Sequence, residues 1–301
     1  MRGTRWLWRT TGLIGLLALL LFAGGFVYAI HDILYPQPSS FGVPAGTPPP
    51  KEETAAGDDI RIVALGDSLT KGFGDTTGEG YVGKVKKKLE AAQDKPVYVQ
   101  NYAENGLRAS QLDPRLDPSG PLAALIKQAN VIVFTIGGND LNELLTGSAQ
   151  AGAAAGSTAS ASPSPAAAAA DAAKPNNASG EQVMAADFDF ARVAGKLPDI
   201  AKRFDSIVAK LAAINPTARI VYVGLYHPYL DLDPQRQGSL LLQQWNDATI
   251  RTANKYPNVT VVPTYDLFQF GGTKFLYDDH FHPNQSGYER IAERVAQVLV
   301  P

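Results

Sequence analysis

The stretch "RIVALGDSLTKGFGD", residues 61–75, begins as a strand and stops being one at Gly66. Arg61-Ile62-Val63-Ala64-Leu65 is an apolar, β-branched run of strand length, and Asp67-Ser68 follows where the chain must turn. One reading of that pair is a helix N-cap, since Ser and Asp are favoured there. The other is a nucleophilic hydroxyl at the carboxyl edge of a parallel sheet, where open α/β folds keep their active sites.

Downstream, strand patterns recur at 97–101 (VYVQN), 131–136 (VIVFTI), 219–225 (RIVYVGL) and 259–262 (VTVV). Helical periodicity covers 80–92, 120–129, 190–214, 239–256 and 284–299. Short β-branched runs alternating with amphipathic helices predict a five-stranded, mainly parallel sheet with helices on both faces. That is one three-layer α/β/α domain over residues 59–301. On the helix at 80–92, Val82, Val85 and Leu89 face the core, and the lysines of "KVKKKLE" (84–90) form its solvated face. Contact with anionic lipid headgroups is the alternative use of that charge.

The 301 residues carry a formal charge of −2, so no global field recruits nucleic acid, and 45% hydrophobic residues are ample for a core. The chain has no cysteine, which excludes disulfides, thiolate zinc sites, cysteine nucleophiles and acylation of a lipobox cysteine. A basic N-terminus (1–11, with Arg2, Arg5 and Arg9) precedes the uncharged "GLIGLLALLLFAGGFVYAI", residues 12–30. A helix of that length spans about 28 Å, close to the hydrocarbon thickness of a bilayer. Arginines on one side only predict a single-pass membrane helix with the bulk of the chain outside the cytoplasm. The length favours an uncleaved anchor; cleavage at Val27-Tyr28-Ala29 would instead secrete the chain. Residues 31–58 read as a Pro-rich tether, and the Ala/Ser-rich stretch 147–180 as a disordered insertion within the domain.

A serine hydroxyl needs a base to take its proton, and the base needs an orienting acid. Of the four histidines, His31 sits at the membrane boundary and His227 just past a strand, while His280 and His282 lie in "YDDHFHPNQSGYERIAERV". Asp279 and His282 are three residues apart, a spacing that lets the carboxylate reach the imidazole Nδ1 around a turn and leaves Nε2 to face a hydroxyl. His280 would point elsewhere; the bland alternative is that Asp279 only caps its turn. Gly106, after the second strand, offers a bare backbone N–H, and Asn139, after the third, offers a side-chain amide. Singly, both are ordinary turn residues. Together, Ser68, Gly106, Asn139 and the Asp279–His282 pair fall in loops at one sheet edge.

At this point the chain resembles the SGNH hydrolases, also called GDSL lipases or esterases. The matching blocks are Gly66-Asp67-Ser68-Leu69, Asn105-Gly106, Gly137-Gly138-Asn139-Asp140 and Asp279-His280-Phe281-His282, in that order, and the resemblance covers nearly all of 59–301. It implies a flavodoxin-like sheet, with Ser68 as nucleophile, His282 as general base and Asp279 as its orienting acid. It also implies an oxyanion hole of the Ser68 and Gly106 backbone N–H groups and the Asn139 side chain, and no cofactor. The expected partner is an acyl-ester substrate, a lipid or an acylated glycan, and Tyr226, Tyr229 and Leu230 either line an acyl site or simply pack their loop. Two rival readings stand beside this one. "DDHFH" with Asp67 and Asn139 would suit a metal-dependent phosphoesterase. A retained hydrolase fold could also serve a non-catalytic surface-binding protein.

Overall fold

The computed structural model describes residues 59–147 and 188–300. The expected N-terminal helix and tether, and the Ala/Ser-rich insertion beyond Gly147, lie outside those residues. Among the described residues, no helix is long and apolar enough to cross a membrane.

Strands β1 (Ile60–Gly66), β2 (Val97–Asn101), β3 (Val131–Thr135), β4 (Arg219–Val223) and β5 (Val259–Val262) form one sheet in the order β2-β1-β3-β4-β5. Every neighbouring pair is parallel, so the sheet is wholly rather than mainly parallel. Alternate residues of β1 serve opposite faces, as the pleat requires. Ile62 and Ala64 pack with Val82, Val85 and Leu89 of α2 (Gly80–Gln93) and Ile291 and Val295 of α9 (Gln285–Leu299). Val63 and Leu65 pack with Leu112 of α3 (Ala109–Arg115), Ile126 of α4 (Pro121–Gln128), Ile207 and Leu211 of α6 (Phe190–Ile214) and Trp245 of α7 (Gln237–Ala253). Burial on both faces is why the strands read as unbroken apolar runs. The runs at 131–136 and 219–225 overshoot β3 and β4 because Ile136 and Leu225 stay buried past the strand ends.

The strand order carries the functional consequence. From β1 the chain crosses to β2 on one side and then to β3 on the other, so the loops after β1 and β3 diverge and leave a crevice. The chain leaves β1 through Gly66, at φ +110°, where an added Cβ would lie 1.8 Å from the Thr135 carbonyl oxygen. Four short helices escaped the periodicity: α1 (Ser68–Lys71), α3, α5 (Gly138–Thr146) and α8 (Tyr265–Gln269). One or two turns are too few to display a repeat.

Lys86, Lys87 and Lys88 of α2 reach solvent as expected, but Lys84 corrects the expectation of a wholly solvated lysine face. Lys84 is buried, its Nζ 3.5 Å from Asp75 Oδ2 and 3.9 Å from carboxylate oxygens of Glu79 and Glu289. Periodicity along one helix cannot reveal acids that arrive from a preceding loop and from α9. Lys84→Ala strands the Asp75 carboxylate and should cost about 3–5 kcal/mol, whereas the exposed Lys87→Ala should change stability by less than about 0.5 kcal/mol. Urea unfolding of the two variants measures both; equal effects would contradict the buried role of Lys84.

Candidate active site

Ser68 opens α1, and Asp67 is the N-cap, its Oδ1 accepting from the Leu69 N–H at 3.1 Å. The cap reading is fulfilled by Asp67, and Ser68 stands where the other reading placed it, just past the carboxyl end of β1. Ser68 Oγ lies 2.7 Å from His282 Nε2, and His282 Nδ1 lies 2.6 Å from Asp279 Oδ2. Asp279 Oδ1 also accepts from the N–H groups of Phe281 at 3.0 Å and His282 at 2.9 Å, so the tight turn itself fixes the carboxylate against the ring. With Nδ1–H donating to Asp279, Nε2 is left to accept from the serine hydroxyl. Burial pushes the Asp279 carboxyl up, but the bonds from His282 and the two backbone N–H groups outweigh it and hold the group below its ordinary value.

Packing completes the placement of the imidazole. The rings of Phe73 and Phe281 lie 4.6 Å and 4.9 Å from that of His282. His280, at φ +54°, is exposed at the tip of the same loop, as is Asp278. Among the described residues, no group of three or more His, Asp or Glu side chains is arranged to hold a metal ion. His227 is buried elsewhere, with Nε2 3.0 Å from Asp233 Oδ2. Burial outweighs Asp233 and lowers this imidazole below its ordinary value, while Asp233 also accepts from the N–H groups of Gln237 and Gly238 and caps α7.

The two further donors sit on neighbouring loops that are stitched together. Gly106 turns at φ +74° after β2. Asn139 is not a turn residue but lies in the first turn of α5, where its Nδ2 donates to the Leu107 carbonyl at 3.0 Å. Asp140 Oδ2 accepts from the Ala109 N–H at 2.9 Å, a second tie between α5 and the Gly106 loop. The Glu104 N–H donates to the Gly66 carbonyl at 2.9 Å, and the Asp67 N–H to the Thr135 carbonyl at 3.2 Å. These bonds hold the ends of β1, β2 and β3 in one frame.

Beneath that frame runs a buried chain of hydroxyls. Thr135 Oγ1 donates to Asp67 Oδ1 at 2.6 Å, Thr70 Oγ1 lies 2.7 Å from Thr135 Oγ1, and Tyr81 OH lies 2.8 Å from Thr70 Oγ1. Burial raises the Asp67 carboxyl to about 6, against the lowering effect of the bonds from Thr135 and Leu69.

An apolar pocket of about 640 Å³, counting its open mouth, is walled by Leu69 and Phe281, the chain neighbours of Ser68 and His282, and by Leu141, Leu145, Leu225 and Leu242. Tyr226 and Tyr229 line it as well, and their hydroxyls are spent on the Phe281 carbonyl (2.5 Å) and Asn142 Oδ1 (2.9 Å). Leu230 is not part of this wall; it starts the 3₁₀ turn Leu230–Leu232. Sequence reasoning missed the leucines of this wall, the hydroxyl chain and Phe73. Leu69, Thr70 and Phe73 lie inside the stretch 61–75 already singled out, and Thr135, Tyr81, Leu225 and Leu242 inside predicted strands or helices, but nothing in those stretches marks their partners.

The profile of the GDSL-like lipase/acylhydrolase family matches residues 64–290. The Bacillus subtilis protein YpmR is 31% identical over 251 residues, which is 82% of this chain and 84% of YpmR. The spore germination lipase LipC of Bacillus licheniformis is 22% identical over 78% of this chain and 94% of its own. Among solved structures, the lipase Lip_vut3 from a goat rumen metagenome shares the fold, with a TM-score of 0.59 at 22% identity over 79% of this chain and 96% of that one. With its profile match running from β1 into α9, this chain belongs to the GDSL-like lipase/acylhydrolase family and is a serine ester hydrolase.

Proposed function

We propose that this hydrolase cleaves acyl esters through a covalent acyl-enzyme on Ser68. The observation that carries the reading is the unbroken chain from Ser68 Oγ to His282 Nε2 at 2.7 Å and from His282 Nδ1 to Asp279 Oδ2 at 2.6 Å. His282 takes the hydroxyl proton as Ser68 attacks the ester carbonyl, and Asp279 holds the ring and favours the imidazolium. The oxyanion is held by the backbone N–H groups of Ser68 and Gly106 and by the second N–H of the Asn139 amide, the first being given to Leu107. His282 returns the proton to the departing alcohol, and water then cleaves the acyl-enzyme by the same route.

The apolar pocket walled by the chain neighbours of Ser68 and His282 takes the acyl group, so the substrate is a lipid or another ester with an apolar acyl part rather than a bare acetate. The name of LipC, a spore germination lipase, supports a lipid over an acylated glycan. The uncharged segment 12–30 anchors the enzyme as a single-pass protein with 31–58 as tether and the hydrolase domain, 59–301, outside the cytoplasm. Cleavage of that segment would release the domain as a secreted enzyme.

Ser68→Ala and His282→Ala should each lower kcat on p-nitrophenyl esters by more than about 10³-fold with the fold intact. Among those esters, medium chains should be cleaved faster than acetate; a maximum at acetate would contradict the acyl assignment of the pocket. Asn139→Ala should keep fluorophosphonate labelling of Ser68 but lose about 10²–10³ in turnover, and an unchanged rate would remove Asn139 from the oxyanion hole. Because the fold holds the Asp279 carboxyl below its unfolded value, its charge stabilises the protein at neutral pH, and that contribution is lost as pH falls through the folded value. Asp279→Asn should therefore be less stable than the parent at pH 7, with the gap closing as the pH falls below the ordinary carboxylate range in denaturant titrations. A gap that does not depend on pH would contradict this.

A further inference from the structure

We infer that His227 makes the apolar pocket selective for an acyl chain that bears one hydroxyl, with the imidazole Nδ1 accepting the hydrogen bond of that hydroxyl. The inference deepens the proposed function, because it rests on Ser68 as nucleophile and on the pocket as the acyl site.

His227 lies past the end of β4 and lines the pocket with Leu225, Tyr226, Tyr229, Gly238 and Leu242. It is 6% exposed, and its Nε2 stands 3.0 Å from Asp233 Oδ2. Both oxygens of that carboxylate already accept from the backbone. Oδ1 takes the Gln237 N–H at 2.9 Å, and Oδ2 takes the N–H groups of Gly238 at 2.8 Å and Ser239 at 3.3 Å. A carboxylate that accepts on both oxygens has no proton to offer, so Nε2 carries the hydrogen and donates it. Burial holds the ring below its ordinary value, so at neutral pH it carries that one proton and Nδ1 is a bare acceptor.

Among the described residues, nothing donates to Nδ1; the ring's hydrogen bond is made through Nε2. Among the same residues, the one side-chain nitrogen or oxygen sealed from solvent without a partner is Asn105 Oδ1. Nδ1 is therefore unpaired without being sealed, and the space that His227 lines is the pocket. The start of α7 closes over the other side of the ring: a Cβ on Gly238 would stand 2.5 Å from Nε2 and 3.1 Å from Asp233 Oδ2.

The helix cap does not call for an imidazole. Asp233 has three backbone donors without it, and a leucine or phenylalanine would complete the wall with no polar atom to satisfy. A plain alkyl chain filling the pocket strips Nδ1 of water and returns nothing, whereas a hydroxyl on the chain restores the bond. Asn142 of α5 makes a matching demand from the same wall. Its Oδ1 accepts from Tyr229 OH at 2.9 Å, and its Nδ2 has no partner among the described residues. An acceptor and a donor are both answered by a hydroxyl, which can donate and accept. A few polar groups set in an apolar lining are how such pockets select their ligands.

The test is kcat/KM for p-nitrophenyl decanoate and for a positional series of its monohydroxy derivatives, each divided by the rate of the same ester with hydroxide. The parent should cleave one member of the series at least about tenfold faster than decanoate itself. In His227→Phe that preference should disappear. A parent that cleaves plain decanoate as fast as every hydroxylated ester overturns the inference, and this arm needs no variant to fold. A His227→Phe enzyme that keeps the parent's preference overturns it as well. Failure of the underlying reading looks different: Ser68 labelled by a fluorophosphonate with acetate as the best substrate removes the acyl pocket, and Ser68 unlabelled with no ester cleaved removes the nucleophile. Either result takes the inference with it.

Discussion

Everything at the site depends on how β1 ends. At Gly66 the strand runs so close to β3 that a single methyl group would stand 1.8 Å from the Thr135 carbonyl oxygen. Glycine permits both that approach and the φ of +110°, and the chain can then turn out of the sheet within one residue. Asp67 caps the turn and Ser68 emerges at the start of a helix, over the crevice opened by the reversal of strand order between β1 and β3. A looser turn would carry the hydroxyl away from an imidazole delivered by a loop more than two hundred residues further along the chain.

The same short segment joins two electrostatic environments. Asp279 is partly exposed and held ionised by three hydrogen bonds, so its charge is inexpensive to keep. Asp67 is wholly buried and kept ionised mainly by Thr135 and the Leu69 N–H, so its charge costs the fold something. A carboxylate retained at such a cost beside the proposed nucleophile is the pattern expected where function and stability pull apart. The apolar pocket shows the opposite economy: the hydroxyls of Tyr226 and Tyr229 are satisfied by protein partners, leaving an apolar wall.

Much of this was legible in the sequence, and the reasons are physical. The five strands read clearly because both faces of a parallel sheet are buried, so each strand is a continuous apolar run. Asp279 and His282 were legible because their contact is local, closed within one turn. The link to Ser68 spans the whole fold, and only the order of blocks along the chain hinted at it. Lys84 was misread because the acids that receive its ammonium come from a loop and from α9, which periodicity on α2 cannot see. The pocket wall was missed for the same reason: Leu141, Leu225 and Leu242 come from separate elements, and each alone looks like ordinary core. Asn139 taken singly reads as a turn residue, yet it stands in the first turn of α5, with Gly137 at the head of that helix as a close contact for Trp245.

The account stands on a covalent bond to Ser68, and the most direct measurement is to trap it. The enzyme would be quenched with acid during turnover of a medium-chain p-nitrophenyl ester, digested, and its peptides weighed. The account predicts the mass of the acyl group on the peptide that contains Ser68, absent when His282 is replaced by alanine. Sustained hydrolysis with no acylated peptide, or with the acyl group on another residue, would contradict it.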